Sequence, residues 1–318
     1  MRDFLSFKEI AKQTIEERRK RSVHTNFKYW IEILDDYCWW IIENELVVIW
    51  AWSWVGKTEL AIHIAITNAL LWKKVALFSL EWDKWEIIYR YFQKEINLKL
   101  QKEWRFIKWP EYRLNIIDIE KYEDQVFNEI PKELEENIKI FNKTYIPNRD
   151  KLLNIIRDNY TKFDMFVIDH LHYLDYWEDE RIWLSKIINS VKEATEIIKK
   201  PVVMVSHLNR NYIFQKRFPT KNDLHWSSDI EKNANTVILL IPDEKSQNSE
   251  LSQTRKDAKF LRDTLVIVDK NRTWMPVPAM FTSTFDLRTK TYLPWEEYNI
   301  LSFDEQNRVS KFDKIINK

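Results

Sequence analysis

The sequence predicts an α/β fold with a mostly parallel central sheet, flanking helices and a β-hairpin end. Short apolar runs at 46–50, 74–80, 163–168 and 201–205 alternate with longer stretches of helical periodicity, the pattern of strands joined by crossover helices. Three of these runs end in polar groups, Glu81, Asp169 and Ser206-His207, at the strand ends where open α/β sheets bind ligands. The first run leads through a short loop into Gly56-Lys57-Thr58 and a helix, and that tripeptide at a strand-to-helix junction is the signature of a phosphate-binding loop.

Taken in order, residues 1–26 carry Phe4, Phe7, Ile10, Ala11 and Ile15 at helical spacing and include the basic run Arg18-Arg19-Lys20-Arg21. A polar stretch follows and offers this apolar stripe no local partner. The helix is therefore expected to pack against a neighbouring subunit, with folding back on its own domain as the alternative. Residues 27–300 form the main domain and begin with a short turn-rich passage to Glu45. After the phosphate loop and its helix, a second buried strand ends in Glu81. A carboxylate there either caps a helix or does chemistry, and its place after an apolar strand favours chemistry. Residues 83–163 read as mostly helical, with one short strand near 138–141. The next strand ends in Asp169, which fits the carboxylate that holds a Mg²⁺ shell beside a phosphate loop. His170 and His172 have the spacing of a metal-ligand pair but read as strand alternation. A helix over 184–199 precedes the strand that ends in His207.

The loop at 209–228 sets Arg210, Lys216, Arg217 and Lys221 among Tyr212, Phe214 and Phe218, a mixture suited to a phosphate backbone and stacked bases, though surface loops of other proteins share it. Strands are predicted at 237–241 and 265–269, separated by a polar loop at 243–259. Lys270-Asn271-Arg272, residues 276–285 and Thr291-Tyr292 close the β-rich end, and 301–318 form a tail.

The candidate nucleotide-binding stretch is Trp50, Ala51, Trp52, Ser53, Trp54, Val55, Gly56, Lys57, Thr58 and Glu59, with Lys57 reaching the outer phosphates and Thr58 ligating Mg²⁺. A phosphate cradle requires positive φ at some positions and a bare backbone, which glycine supplies and tryptophan does not. The chain has 16 Trp and 1 Gly in 318 residues, whereas glycine usually makes up about 7% of a protein. Reading every Trp as Gly turns the loop into Gly-Ala-Gly-Ser-Gly-Val-Gly-Lys-Thr. It also places glycine at Trp39-Trp40, Trp226 and Trp274, where turns are predicted. The expectation is that UGA codons read as Gly in the source were translated as Trp; a Trp-rich protein with a degenerate loop is the alternative.

With 50 basic and 49 acidic residues the net charge is +1, so contact with nucleic acid must come from local basic patches. One cysteine, Cys38, excludes a disulfide framework and a cysteine zinc site. No leader pattern or membrane-length apolar run is present, and the chain reads as soluble and cytoplasmic, with no membrane partner.

Strand, phosphate loop, strand-Glu, strand-Asp, strand-Ser-His and a late Lys-x-Arg, in this order, resemble the RecA-like P-loop ATPase domain of DnaB-type replicative helicases over about residues 27–293. The resemblance implies ATP and Mg²⁺ as cofactors, single-stranded DNA as partner, a hexameric ring of identical subunits, and a primase or helicase loader as further partners. It implies that Glu81 is the general base, that Asp169 holds Mg²⁺ with Thr58, and that His207 senses the γ-phosphate. Lys270 and Arg272 match the basic pair inserted into the next subunit's ATP site, the 1–26 helix is similar to the family's linker helix, and 223–231 is similar to its DNA-loop motif. His225 and Lys232 depart from the usual Arg and Gln of that motif, and the separate N-terminal domain of bacterial members is not represented. A RecA-like recombination or clock-type ATPase, and a nucleotide-dead structural module if the tryptophans are literal, stay open.

Overall fold

The computed structural model describes residues 6–20, 27–38, 40–51, 55–101, 105–108, 111–112, 119–174, 180–207, 232–242, 260–272 and 276–293. Its helices are α1 (Phe7–Lys20), α2 (Glu32–Cys38), α3 (Lys57–Leu70), α4 (Lys84–Gln101), α5 (Glu120–Asn128), α6 (Lys132–Asn137), α7 (Arg149–Asn159) and α8 (Glu180–Ile198). The strands are β1 (Leu46–Ala51), β2 (Val75–Ser79), β3 (Ile138–Asn142), β4 (Met165–Asp169), β5 (Val202–His207), β6 (Thr236–Pro242), β7 (Leu261–Asn271), β8 (Ala279–Asp286) and β9 (Thr291–Tyr292).

The strands form one sheet in the order β3-β2-β4-β5-β1-β6-β7-β8-β9. The first six in that order are parallel, and β6 to β9 are joined antiparallel. Strand β1 shows why the parallel part is buried on both sides. Leu46, Val48 and Trp50 join a core with residues of α7 and α8, whereas Val47, Ile49 and Ala51 join the opposite core with residues of α2 and α3. This is the period-2 alternation of a strand whose two faces are both apolar.

Several local signals act as their chemistry requires. Ser6 and Glu9 form a reciprocal capping box at the start of α1, the Ser6 hydroxyl accepting from the Glu9 N–H at 3.3 Å and Glu9 accepting from the Ser6 N–H at 2.7 Å. Asn148 caps α7 by accepting from the Lys151 N–H at 3.0 Å. At the end of α3, the Trp72 N–H donates to the Ala69 carbonyl and the Lys73 N–H to that of Asn68, both at 3.0 Å. With Trp72 at φ 62°, these bonds make a Schellman motif in which Trp72 occupies the left-handed position that glycine usually fills.

Four expectations need correction. The passage before β1 is not all turn: α2 lies in it, and Phe27 bridges Ile41. The 184–199 helix begins at Glu180, and the 265–269 strand extends over 261–271 because its ends pair with β6 and β8 although they are only partly buried. His170 and His172 are not an alternating strand pair, since β4 stops at Asp169 and both lie beyond it.

Candidate nucleotide site

The register brings the sequence-predicted groups to one edge. Ala51 pairs with His207, Ser79 with Asp169 and Asp169 with Val205, so the phosphate loop and the ends of β2, β4 and β5 share the C-terminal rim of the parallel strands. The side chain of His207 and residues 52–54 lie outside the described residues, as do Arg210, Lys216, Arg217, Lys221 and the 223–231 motif.

Gly56 shows what the loop demands of its backbone. Its φ is 77°, and a Cβ added there would lie 2.6 Å from the Phe285 ring, so both conformation and space exclude a side chain. The Val55 carbonyl accepts from the Tyr292 hydroxyl at 2.6 Å. Thus the β8–β9 end braces the loop from behind, a role that sequence reasoning missed because the partners are some 230 residues apart. Lys57 and Thr58 follow in the first turn of α3 and are buried. The Glu59 carboxylate pairs with Arg90 of α4, so only its backbone belongs to the helix N-terminus.

Asp169 is 1% exposed, and among the described residues neither of its carboxylate oxygens accepts a well-formed hydrogen bond. Burial raises its pKa, against the charge of His170, the Thr58 hydroxyl and the Lys57 ammonium. A buried carboxylate left this way calls for a cation, and a hydroxyl with one carboxylate is the sparse protein ligand set that Mg²⁺ uses beside phosphates. The residues fit that ion: Thr58 and Asp169 would hold it. Burial lowers the Lys57 ammonium to about 8, with Glu81 and Asp169 acting in the opposite direction.

Glu81 is half-buried. Burial raises its carboxyl, but the hydrogen bond and charge of His170, the charge of Lys57 and the Tyr173 hydroxyl together hold it below the ordinary carboxylate range. It therefore stands ionised at the rim, as an acceptor for a water proton must. Arg272 lies elsewhere. Its backbone N–H donates to the Asn235 carbonyl at 3.1 Å, and the Asn235 N–H donates to the Leu46 carbonyl at 2.8 Å, which fixes Arg272 at the start of β1 and not at its phosphate-loop end. Lys270 pairs with Val237 near the same edge.

A glycine-backed loop, a Lys-Thr helix start and carboxylates on two neighbouring strand ends, on a sheet with β1 inside, define a RecA-like P-loop ATPase. The chain belongs to the DnaB-like helicase C-terminal domain family, whose model matches residues 23–284, and is by that membership an ATP-hydrolysing helicase. Its structure is similar to that of a DnaB-like replicative helicase described with its interactions with primase, at 20% identity and a TM-score of 0.70 over 92% of this chain and 68% of the other. It is also similar to a second solved structure, an isolated ATPase domain, at 20% identity and a TM-score of 0.72 over 92% of this chain and all of the other. No curated protein matches the sequence. None of the described helices is long and apolar enough to cross a membrane.

Proposed function

We propose that this chain is the motor of a ring-forming replicative helicase that moves along single-stranded DNA, and that its natural phosphate loop carries glycine at 50, 52 and 54. The observation that carries the ring reading is the position of Arg272. It directly follows β7, five residues on from Ile267, which is level with Leu239 and Trp50, or roughly 17 Å at the usual rise per residue. The chain's own phosphate loop lies beyond the opposite rim. Arg272 thus serves a neighbour's site or none, and an arginine supplied in trans accelerates such hydrolysis by about 10³ to 10⁵. The apolar side chains of α1 support subunit contact, with Phe7 88% exposed.

In the shared site Lys57 binds the outer phosphates, and Glu81 takes a proton from the attacking water. The new P–O bond forms as the bond to the ADP oxygen breaks. Mg²⁺, when bound by Thr58 and Asp169, supplies charge screening of the phosphates. His207 senses the γ-phosphate from the strand beside the loop, while Lys270 and Arg272 meet the neighbour's nucleotide. The basic and aromatic loop with Arg210, Lys216, Arg217 and Lys221 contacts DNA.

Backbone geometry supports the glycine reading. Seven non-glycine residues among those described have positive φ, and Trp30, Trp40 and Trp72 are three of them, although such conformations belong chiefly to Gly, Asn and Asp. Trp50 is 3% exposed, and its indole N–H has no partner among the described residues, an arrangement that costs about 1–3 kcal/mol. The test is a pair of full-length proteins, one as written and one with glycine at all sixteen Trp positions. The glycine form should bind ATP and unwind a forked duplex, while the Trp form should not bind. Equal nucleotide affinity would remove the steric case for glycine, and ATP hydrolysis without unwinding would point to a recombination-type or clock-type ATPase.

A further inference from the structure

We propose that His170 and Tyr173 are positioning residues that clamp the two oxygens of the Glu81 carboxylate; this rests on Glu81 being the base. His170 Nε2 lies 2.7 Å from Glu81 Oε2, and the Tyr173 hydroxyl donates to Oε1 at 3.3 Å. With one partner on each oxygen, the plane of the carboxylate is fixed.

The clamp is itself fixed. His170 follows Asp169 directly, sits at φ 68° and ψ 64°, and opens the 3-10 turn Leu171–Tyr173. Its backbone N–H donates to the Val205 carbonyl at 3.0 Å, its carbonyl accepts from the Tyr173 N–H at 3.2 Å, and its side chain is fully buried. A left-handed conformation at a non-glycine residue is disfavoured and persists where surrounding structure holds it. The turn reverses the chain so that the imidazole faces Glu81 on the neighbouring strand end, and the Tyr173 ring meets it edge to face at 5.5 Å. Nε2 is also 4.0 Å from Asp169 Oδ1. One short turn therefore sets the base relative to the carboxylate assigned to the metal.

Orientation is what such a clamp contributes. A glutamate beyond a strand end has three rotatable bonds, and a base acts only within hydrogen-bond reach of its water. The Tyr173 hydrogen bond and the close approach of the His170 imidazole both favour the charged carboxylate and so weaken the base. The clamp thus gives up basicity for position, and its removal lowers turnover only if position dominates.

The experiment uses the full-length chain with glycine at the sixteen Trp positions and measures DNA-stimulated ATP turnover together with equilibrium binding of a fluorescent ATP analogue. Tyr173→Phe and His170→Phe should each lower kcat about tenfold or more, consistent with the scale of misplaced catalytic groups, with KM and analogue affinity within twofold. His170→Gln, which retains an amide donor, should recover part of the loss. In a Glu81→Gln background the same substitutions should have no further effect. Should His170→Phe fail to fold, Tyr173→Phe decides, since Tyr173 is 42% exposed. Normal kcat in Tyr173→Phe and His170→Phe, with Glu81→Gln inactive, overturns the clamp and leaves the base; an active Glu81→Gln overturns the base itself. Losses that persist undiminished in the Glu81→Gln background also overturn the clamp.

Discussion

Trp72 gives a test of the glycine reading that does not involve nucleotide. It occupies the position after the α3 cap at φ 62°, and its side chain is 58% exposed. Trp72→Gly and Trp72→Ala both remove the indole, so whatever packing is lost cancels in their comparison. What remains is the left-handed backbone, which disfavours a Cβ by about 1–2 kcal/mol, offset in part by the greater unfolded-state freedom of glycine. The Gly variant should therefore be the more stable by about 1 kcal/mol, which in a chain of this size is a thermal shift of about 2 °C. Glu193, exposed in the interior of α8, is the control, because glycine there should be less stable than alanine by about 1 kcal/mol. The assay is urea unfolding of all four variants at fixed protein concentration. If alanine at 72 equals or exceeds glycine while the control behaves, Trp72 does not stand at a glycine position, and the backbone support for recoding falls to Trp30 and Trp40.

In the glycine form, Lys57→Ala should weaken nucleotide binding and hydrolysis together, whereas Glu81→Gln should keep binding and slow turnover by about 10² to 10⁴, as judged by titration and steady-state rates. Glu45 is buried and its carboxyl is raised by burial from 4.5 to about 7, against the Ile42 N–H and the charge of Lys192. The folded state then holds a proton that the unfolded state has released, so stability should fall by about 3 kcal/mol as pH rises from about 4.5 to 7, and Glu45→Gln should flatten that limb of the unfolding curve. Arg272→Ala and Lys57→Ala proteins, each inactive alone, should recover part of their ATPase activity when mixed with single-stranded DNA; verified mixed rings that stay inactive would count against catalysis in trans by Arg272.

The features legible in the sequence were those set by short spacing or strand ends. Gly56-Lys57-Thr58 is contiguous, and Glu81 and Asp169 each close an apolar run, so their meeting follows once the strands are parallel neighbours. Phe285 and Tyr292 were not legible, because their contact with the loop depends on how an antiparallel ribbon returns to the sheet. Trp72 escaped notice because a Schellman position is defined by the last helical residue, and sequence patterns place helix ends only to within a few residues. His170 was in view but was assigned to a continuing strand. The chain instead leaves β4 at Asp169, before either histidine, and that exit turns the His170 imidazole toward Glu81.

The β7–β8 pair is what connects these separate observations. Phe285, opposite Arg262, lies against Gly56 at the phosphate-loop rim, while β7 ends at Asn271 at the other edge, with Arg272 directly after it. Ten residues separate Arg262 from Arg272, or roughly 33 Å of extended strand. Pairing with β6 on one side and β8 on the other stiffens most of that length. In a ring assembled as proposed, one ribbon would touch its own nucleotide loop at one end and offer Arg272 to the next subunit at the other. A change of state at one site would then reach its neighbour through a paired strand and not through a loose loop. This also explains why a glycine is required at 56 whichever reading of the tryptophans holds: the contact that excludes a Cβ there is the one joining the loop to the ribbon.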